Sequence, residues 1–194
     1  MAETDSPGRS CPLHYRYPPS VFATPAPPSL CGAEVLYVVG GLYGNELALE
    51  AVLRLFDAEP GDKRLVFNGD FHWFDADPVV FGRVQLTVLA HHALRGNVET
   101  EVADRAAPDA AGCGCAYPAW VGDEVVERSN RILRRLRGAA SPAQCAELAR
   151  LPMWLRADVG GLRIGIVHGD ATSLAGWGFA QEHLRDEGHR YVVR

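Results

Sequence analysis

Three apolar runs of strand length, "EVLYVVG" (34–40), "KRLVFNGDF" (63–71) and "GLRIGIVHGD" (161–170), each run into a glycine-containing turn. Runs of this kind read as strands buried on both faces, and helical patterns lie between them. "NELALEAVLRLFDAE" (45–59) sets Leu47, Val52 and Leu55 with Ala48 and Ala51 at helical spacing, and "PVVFGRVQLTVLAHHAL" (78–94) reads as a second helix. Buried strands alternating with helices predict an α/β fold with a largely parallel or mixed sheet. In such sheets ligands sit outside the carboxyl ends of the strands, where "GGLYGN", "NGD", "GNVE" and "VHGD" emerge.

Asp70, Asn97 and His168 each stand in one of these turns. A carboxylate, an amide oxygen and an imidazole form a mixed oxygen and nitrogen donor set suited to Mn, Fe or Zn. The turn from Gly40 to Asn45 differs, because it leads from a strand into a helix and yet holds no charged side chain. A helix start offers free backbone N–H groups, so Tyr43, Gly44 and Asn45 are candidates to contact a phosphate. The Tyr43 phenol adds a donor and an acceptor.

At 194 residues, 47% hydrophobic and 22% charged, the chain is long enough to bury a sizeable core in one domain. The net charge of −5 gives no broad basic field, which argues against nucleic acid as a partner. A phosphorylated small molecule remains a fitting ligand, since one metal suffices to hold it. No apolar run approaches the ~18 to 20 residues of a membrane span. The opening "MAETDSPGRSCPLHY" lacks a secretory pattern, so a cytoplasmic location is expected.

Residues 1–31 hold seven of the thirteen prolines, which predicts an irregular segment, packed on the domain through Tyr15, Tyr17 and Phe22. The domain proper is expected over 32–194. Five irregularly spaced cysteines argue against a disulfide framework, and "AGCGCAYP" lacks the paired C-x-x-C spacing of structural zinc. "ERSNRILRRLRG" (127–138) reads as a helix with a solvated basic face.

In their order, "GLYGNELALEAVL", "NGDFHWFD", "RGNVETE" and "IVHGD" resemble the calcineurin-like metallophosphoesterase superfamily, and the wording is similar to a bacterial subgroup of it. That family carries D-x-H before G-N, then G-D-x-x-D, G-N-H-D/E, a late strand ending in His, and G-H-x-H. The resemblance implies a sandwich of two mixed β-sheets flanked by helices. It implies a metal-dependent phosphoesterase in which Asp70 is the bridging ligand and Asn97 and His168 hold the second metal. Residues 103–117 would form a substrate-selecting insertion.

The departures are specific. Gly41 and Tyr43 stand where the family has the Asp and His of its first metal, and Val98 where it has its catalytic His. Gly188-His189 is followed by Arg190 and Tyr191, not x-His, so the G-H-x-H motif and the last strands are expected to be absent and the fold carboxyl-terminally incomplete. One metal site, not two, is expected. His72 is a candidate replacement ligand or catalytic group whose simpler role is packing against its loop, and Asp75 matches the second Asp of G-D-x-x-D one residue late. The alternative reading is a catalytically inactive relative that binds a phosphorylated ligand or a protein.

Overall fold

The computed structural model describes residues 7–23, 30–105 and 112–181. Gly188-His189 and the middle of the 103–117 segment lie outside them. The protein is an α/β fold of two three-stranded sheets and five α-helices over the described residues. One sheet has the order β2-β3-β4, from Val35–Val39, Lys63–Asn68 and His92–Leu94, and all its pairings are parallel. The other has the order β1-β5-β6, from Leu30–Ala33, Trp154–Val159 and Leu162–Val167, with β1 parallel and β6 antiparallel to β5.

The period-2 alternation of a strand explains how β3 serves two cores at once. Leu65 and Phe67 face a large apolar cluster with Leu49 of α1 (Glu46–Ala58), Phe81 and Val88 of α2 (Pro78–Leu89), Leu133 of α4 (Asp123–Ala139) and Leu148 of α5 (Pro142–Ala149). Val66 faces the other way. It joins Leu94, Leu30, Leu155, Ala157 and Ile166 in a cluster shared by both sheets. Helices therefore cover one face of β2-β3-β4, and the second sheet covers the other.

Local signals set the helix starts. The Asn45 side chain accepts from the Ala48 N–H at 3.0 Å, and Asp77 accepts from the N–H groups of Val79 and Val80 ahead of α2, with Pro78 at the first helical position. Ser141 and Gln144 form a reciprocal cap on α5.

Two sequence expectations are corrected here. The helix expected over 78–94 stops at Leu89, because His92–Leu94 pairs with Val66–Asn68 and becomes β4. A chain turn at Ala90 and His91 is what returns the backbone to the sheet. The irregular amino-terminal segment also ends earlier than expected, since Leu30 already begins β1.

Before β1, Tyr15 and Tyr17 are buried, and Phe22 packs edge-on against Trp154. The Tyr17 N–H donates to the Thr172 carbonyl and the Leu174 N–H to the Tyr15 carbonyl, so this segment is stitched to the loop after β6. The Tyr15 hydroxyl donates to Glu101 of α3 (Asn97–Ala103), which also receives Arg137 at 3.1 Å.

Candidate functional site

Asp70, Asn97 and His168 meet at the carboxyl ends of β3, β4 and β6. Asp70 Oδ2 lies 3.3 Å and Asn97 Oδ1 3.2 Å from His168 Nε2. The His168 Nδ1–H donates to the Asn68 carbonyl at 2.8 Å, which aims Nε2 at the other two. Asn97 is oriented likewise. Its Nδ2 donates to the Cys113 carbonyl at 3.0 Å and leaves Oδ1 facing His168.

The loops approach so closely that glycine is required. Gly69 has φ +73, and a β-carbon there would lie 2.5 Å from Gly96 N and 2.8 Å from His168 Nδ1. Asp70 itself sits at φ 50, a conformation that Asp and Asn tolerate better than most side chains. Glu99 fixes the arrangement from below. Fully buried, it accepts the N–H groups of Asp70 and Gly96, both at 2.8 Å, and of His72 at 3.2 Å.

Electrostatics follow from this packing. Burial lowers the pKa of His168, but the Asp70 carboxylate beside it, with the Asn68 carbonyl and Glu99, outweighs burial and raises it to about 9. Burial and then Asp70 raise the pKa of Glu99, opposed by His72 and the backbone N–H groups.

An open cleft of about 230 Å³ lies against these residues, lined by Asp70 and Asn97 and walled by Tyr43, Trp73, Phe74 and Tyr117. The Tyr43 phenol has its pKa raised by burial and by Asp70, Tyr117 and Glu99. Val98 also lines the cleft, with only apolar atoms to offer. Its backbone N–H donates to Asp70 Oδ1 at 3.1 Å.

Three N–H groups of the turn at Gly40–Asn45 are already paired within the protein. Tyr43, Gly44 and Asn45 donate theirs to the carbonyls of Asp70, Phe71 and Leu42, and the Asn45 side chain caps α1. Gly44 and Asn45, expected as substrate contacts, have these groups engaged within the fold. Tyr43 alone of the three lines the cleft. Its ring fills the space beside Gly41, where a β-carbon would lie 2.5 Å from the ring.

His72 has no route to the cleft. It is fully buried, stacked on Phe81 at 3.7 Å, with Nδ1 2.5 Å from Asp75 Oδ2. Asp75 also accepts the Trp73 N–H at 2.9 Å, so this pair braces the loop after β3.

Sequence reasoning missed Glu99, although an acid three residues after Gly96 at a helix start is a capping signal. It also missed the Cys113–Cys115 pairing, a single link two residues apart that leaves the expectation of no disulfide framework untouched. Cys115 lines the cleft and lies 3.6 Å from Asn97 Nδ2.

The donors at the centre are one carboxylate, one imidazole and one amide. Their convergence on a single point, with second contacts fixing each, fits a divalent metal. Among the described residues no cluster of three or more His, Cys, Asp or Glu side chains suited to a metal is present; the third donor here is an Asn. No helix among the described residues is long and apolar enough to cross a membrane.

The fold and cleft define an α/β protein with a polar site at the carboxyl ends of its strands. No family model and no curated protein matches the chain. Among solved structures it is similar to the crystal structure of a hypothetical protein from Pyrococcus horikoshii OT3, at 15% identity and a TM-score of 0.44. The match covers 70% of this chain and 54% of that one, so the chain spans about half the length of that structure.

Proposed function

We propose that the protein is a metal-dependent phosphoesterase of the calcineurin-like type with a reduced metal site, in a sandwich fold of that family. The observation that carries this is the convergence of Asp70 Oδ2 and Asn97 Oδ1 on His168 Nε2 within 3.3 Å, beside a cleft that Asp70 and Asn97 line. Asp70, Asn97 and His168 would hold one divalent ion, Mn, Fe or Zn. Such an ion polarises phosphoryl oxygens and lowers the pKa of bound water.

The chain's own groups then have defined work. Glu99 holds the Asp70 loop, the Asn68 carbonyl holds the His168 tautomer, and Tyr43 offers a phenol to a phosphate oxygen. The walls of Trp73, Phe74 and Tyr117 suit the apolar alcohol portion of a phosphate ester.

A second reading is favoured by Gly41, Tyr43 and Val98, which supply neither metal ligand nor proton where the resembled family uses Asp and His. On it, the protein binds a phosphorylated ligand or a protein partner without turnover. One experiment separates the two: metal content and hydrolysis of generic phosphomonoesters and phosphodiesters, with Asp70→Asn as control. Stoichiometric metal with chelator-sensitive turnover, both lost in the variant, supports the phosphoesterase; metal without turnover favours the silent relative.

A further inference from the structure

The walls of the cleft are more specific than an apolar lining requires. Among the described residues eight line it; four of these are the aromatic Tyr43, Trp73, Phe74 and Tyr117, and none is a Lys or Arg. Asp70 is the one charged residue among the eight. The polar groups beside the rings are largely engaged. The Tyr117 hydroxyl is paired with Ser129 Oγ at 2.8 Å, and Asn97 Nδ2 donates to the Cys113 carbonyl at 3.0 Å. A polyol seated here would lose water from its hydroxyls for few new partners, and a second phosphate would meet no cation.

The rings are held from behind. The Tyr43 N–H donates to the Asp70 carbonyl at 3.1 Å and the Phe74 N–H to the Tyr43 carbonyl at 3.2 Å, which ties the two turns together. Trp73 lies edge-on to Phe74, and Tyr117 packs against Trp177, whose Nε1 donates to the Cys115 carbonyl at 3.0 Å. Phe74 nevertheless stays 70% exposed and Tyr43 46%. Large rings anchored by their backbone and left in water beside a polar site offer faces on which a second ring can stack. The cleft volume of about 230 Å³ lies below the range of about 300–1,000 Å³ that encloses drug-sized ligands, so it suits one ring system with its phosphate.

We propose that the phosphate ester taken by this cleft is the monoester of an alcohol bearing a flat aromatic ring, and that the ring stacks on Phe74. The inference rests on the phosphoesterase reading for its phosphate end. An aryl phosphate carries the ring on the ester oxygen itself, and a nucleoside monophosphate carries it beyond a sugar. The scarcity of hydroxyl partners along the wall favours the aryl phosphate.

The test is isothermal titration of the full chain, with Mn(II) present, against phenyl phosphate, adenosine monophosphate and glycerol phosphate. Phenyl phosphate should bind at least about fivefold tighter than glycerol phosphate, the lower end of what stacking on one aromatic side chain is worth. Adenosine monophosphate matching or exceeding phenyl phosphate would keep the ring and place it beyond a sugar. Phe74→Leu keeps an apolar side chain and removes the aromatic face, so it should collapse the preference over glycerol phosphate; circular dichroism checks that the fold is kept. Equal affinity for all three esters, or a preference unchanged in Phe74→Leu, would overturn the stacked ring and leave the phosphoesterase reading standing. Binding of none of the three by folded protein would overturn that reading and this inference with it.

Discussion

Gly96 and Asp70 are packed so tightly that a β-carbon on Gly96 would lie 2.1 Å from Asp70 Oδ1 and 2.7 Å from the Asp70 nitrogen. The turn after β4 thus depends on the absence of a side chain to seat the carboxylate after β3. Gly96→Ala should cost about 1 to 3 kcal/mol by overpacking and release metal together with stability. Denaturant unfolding beside elemental analysis checks this; a stable Gly96→Ala protein with full metal would contradict the close seating.

Asp70 carries both a donor atom and a left-handed backbone. Asp70→Asn keeps a side chain tolerant of φ 50, so the fold should persist while metal affinity falls at least about 100-fold. Asp70→Ala should lose stability as well, because Ala suits that backbone poorly. Comparing the two by calorimetry separates ligand loss from backbone strain.

The pH response turns on His168. Its pKa is raised from an ordinary 6.5 to about 9, because the neighbouring Asp70 carboxylate outweighs burial. A raised value means that the pair with Asp70 contributes stability in full below about pH 6.5 and loses it as the pH rises through about 9. The Tm gap between wild type and His168→Gln should therefore narrow across that window. On the proposed metal reading the ion displaces the same proton, so metal affinity should climb with pH and level off above about 9. Isothermal titration at several pH values reads this directly, and a flat profile from 6.5 to 9 would exclude it.

Glu99 accepts three backbone N–H groups in full burial. Glu99→Ala leaves all three unpaired and should cost about 3 kcal/mol or more, whereas Glu99→Gln retains acceptor capacity and should cost less. Thermal unfolding of both variants gives the order.

How much of this was legible in the sequence depends on which force set each element. β3 and β6 were legible because long apolar runs bounded by glycine have few other fates. β4 was not, since His92-Ala93-Leu94 is a strand only through its pairing with β3, and its residues continue a helical pattern. Asp70, Asn97 and His168 stood out as polar groups at strand ends. Glu99 caps its own helix by a local signal, but its hold on the Asp70 and His72 N–H groups joins loops remote in sequence, and the Cys113–Cys115 pair, two residues apart, follows neither a C-x-x-C nor a framework spacing. The pairing of the Gly44 and Asn45 N–H groups was not legible, because a turn rich in N–H groups looks the same on paper whether those groups face a ligand or a neighbouring loop.

The space beside Gly41 is taken by the Tyr43 ring, which is itself about half exposed. Gly41→Asp alone should destabilise and bind no additional metal. Gly41→Asp with Tyr43→His removes the ring and supplies a carboxylate and an imidazole in the turn after β2. The double variant should raise metal from one to two per chain, read by elemental mass spectrometry, and an unchanged ratio would count against the reduced-site proposal.

Tyr17 bonds to Asp170 across 153 positions of sequence, and Tyr15 to Leu174 across a similar span. Long-range closures come late in folding, because the chain between must first be ordered. During vectorial synthesis these two tyrosines leave the ribosome long before their partners exist, and they travel exposed while the central sheet and its helices assemble. The amino-terminal strap therefore cannot seat before the loop after β6 has been made.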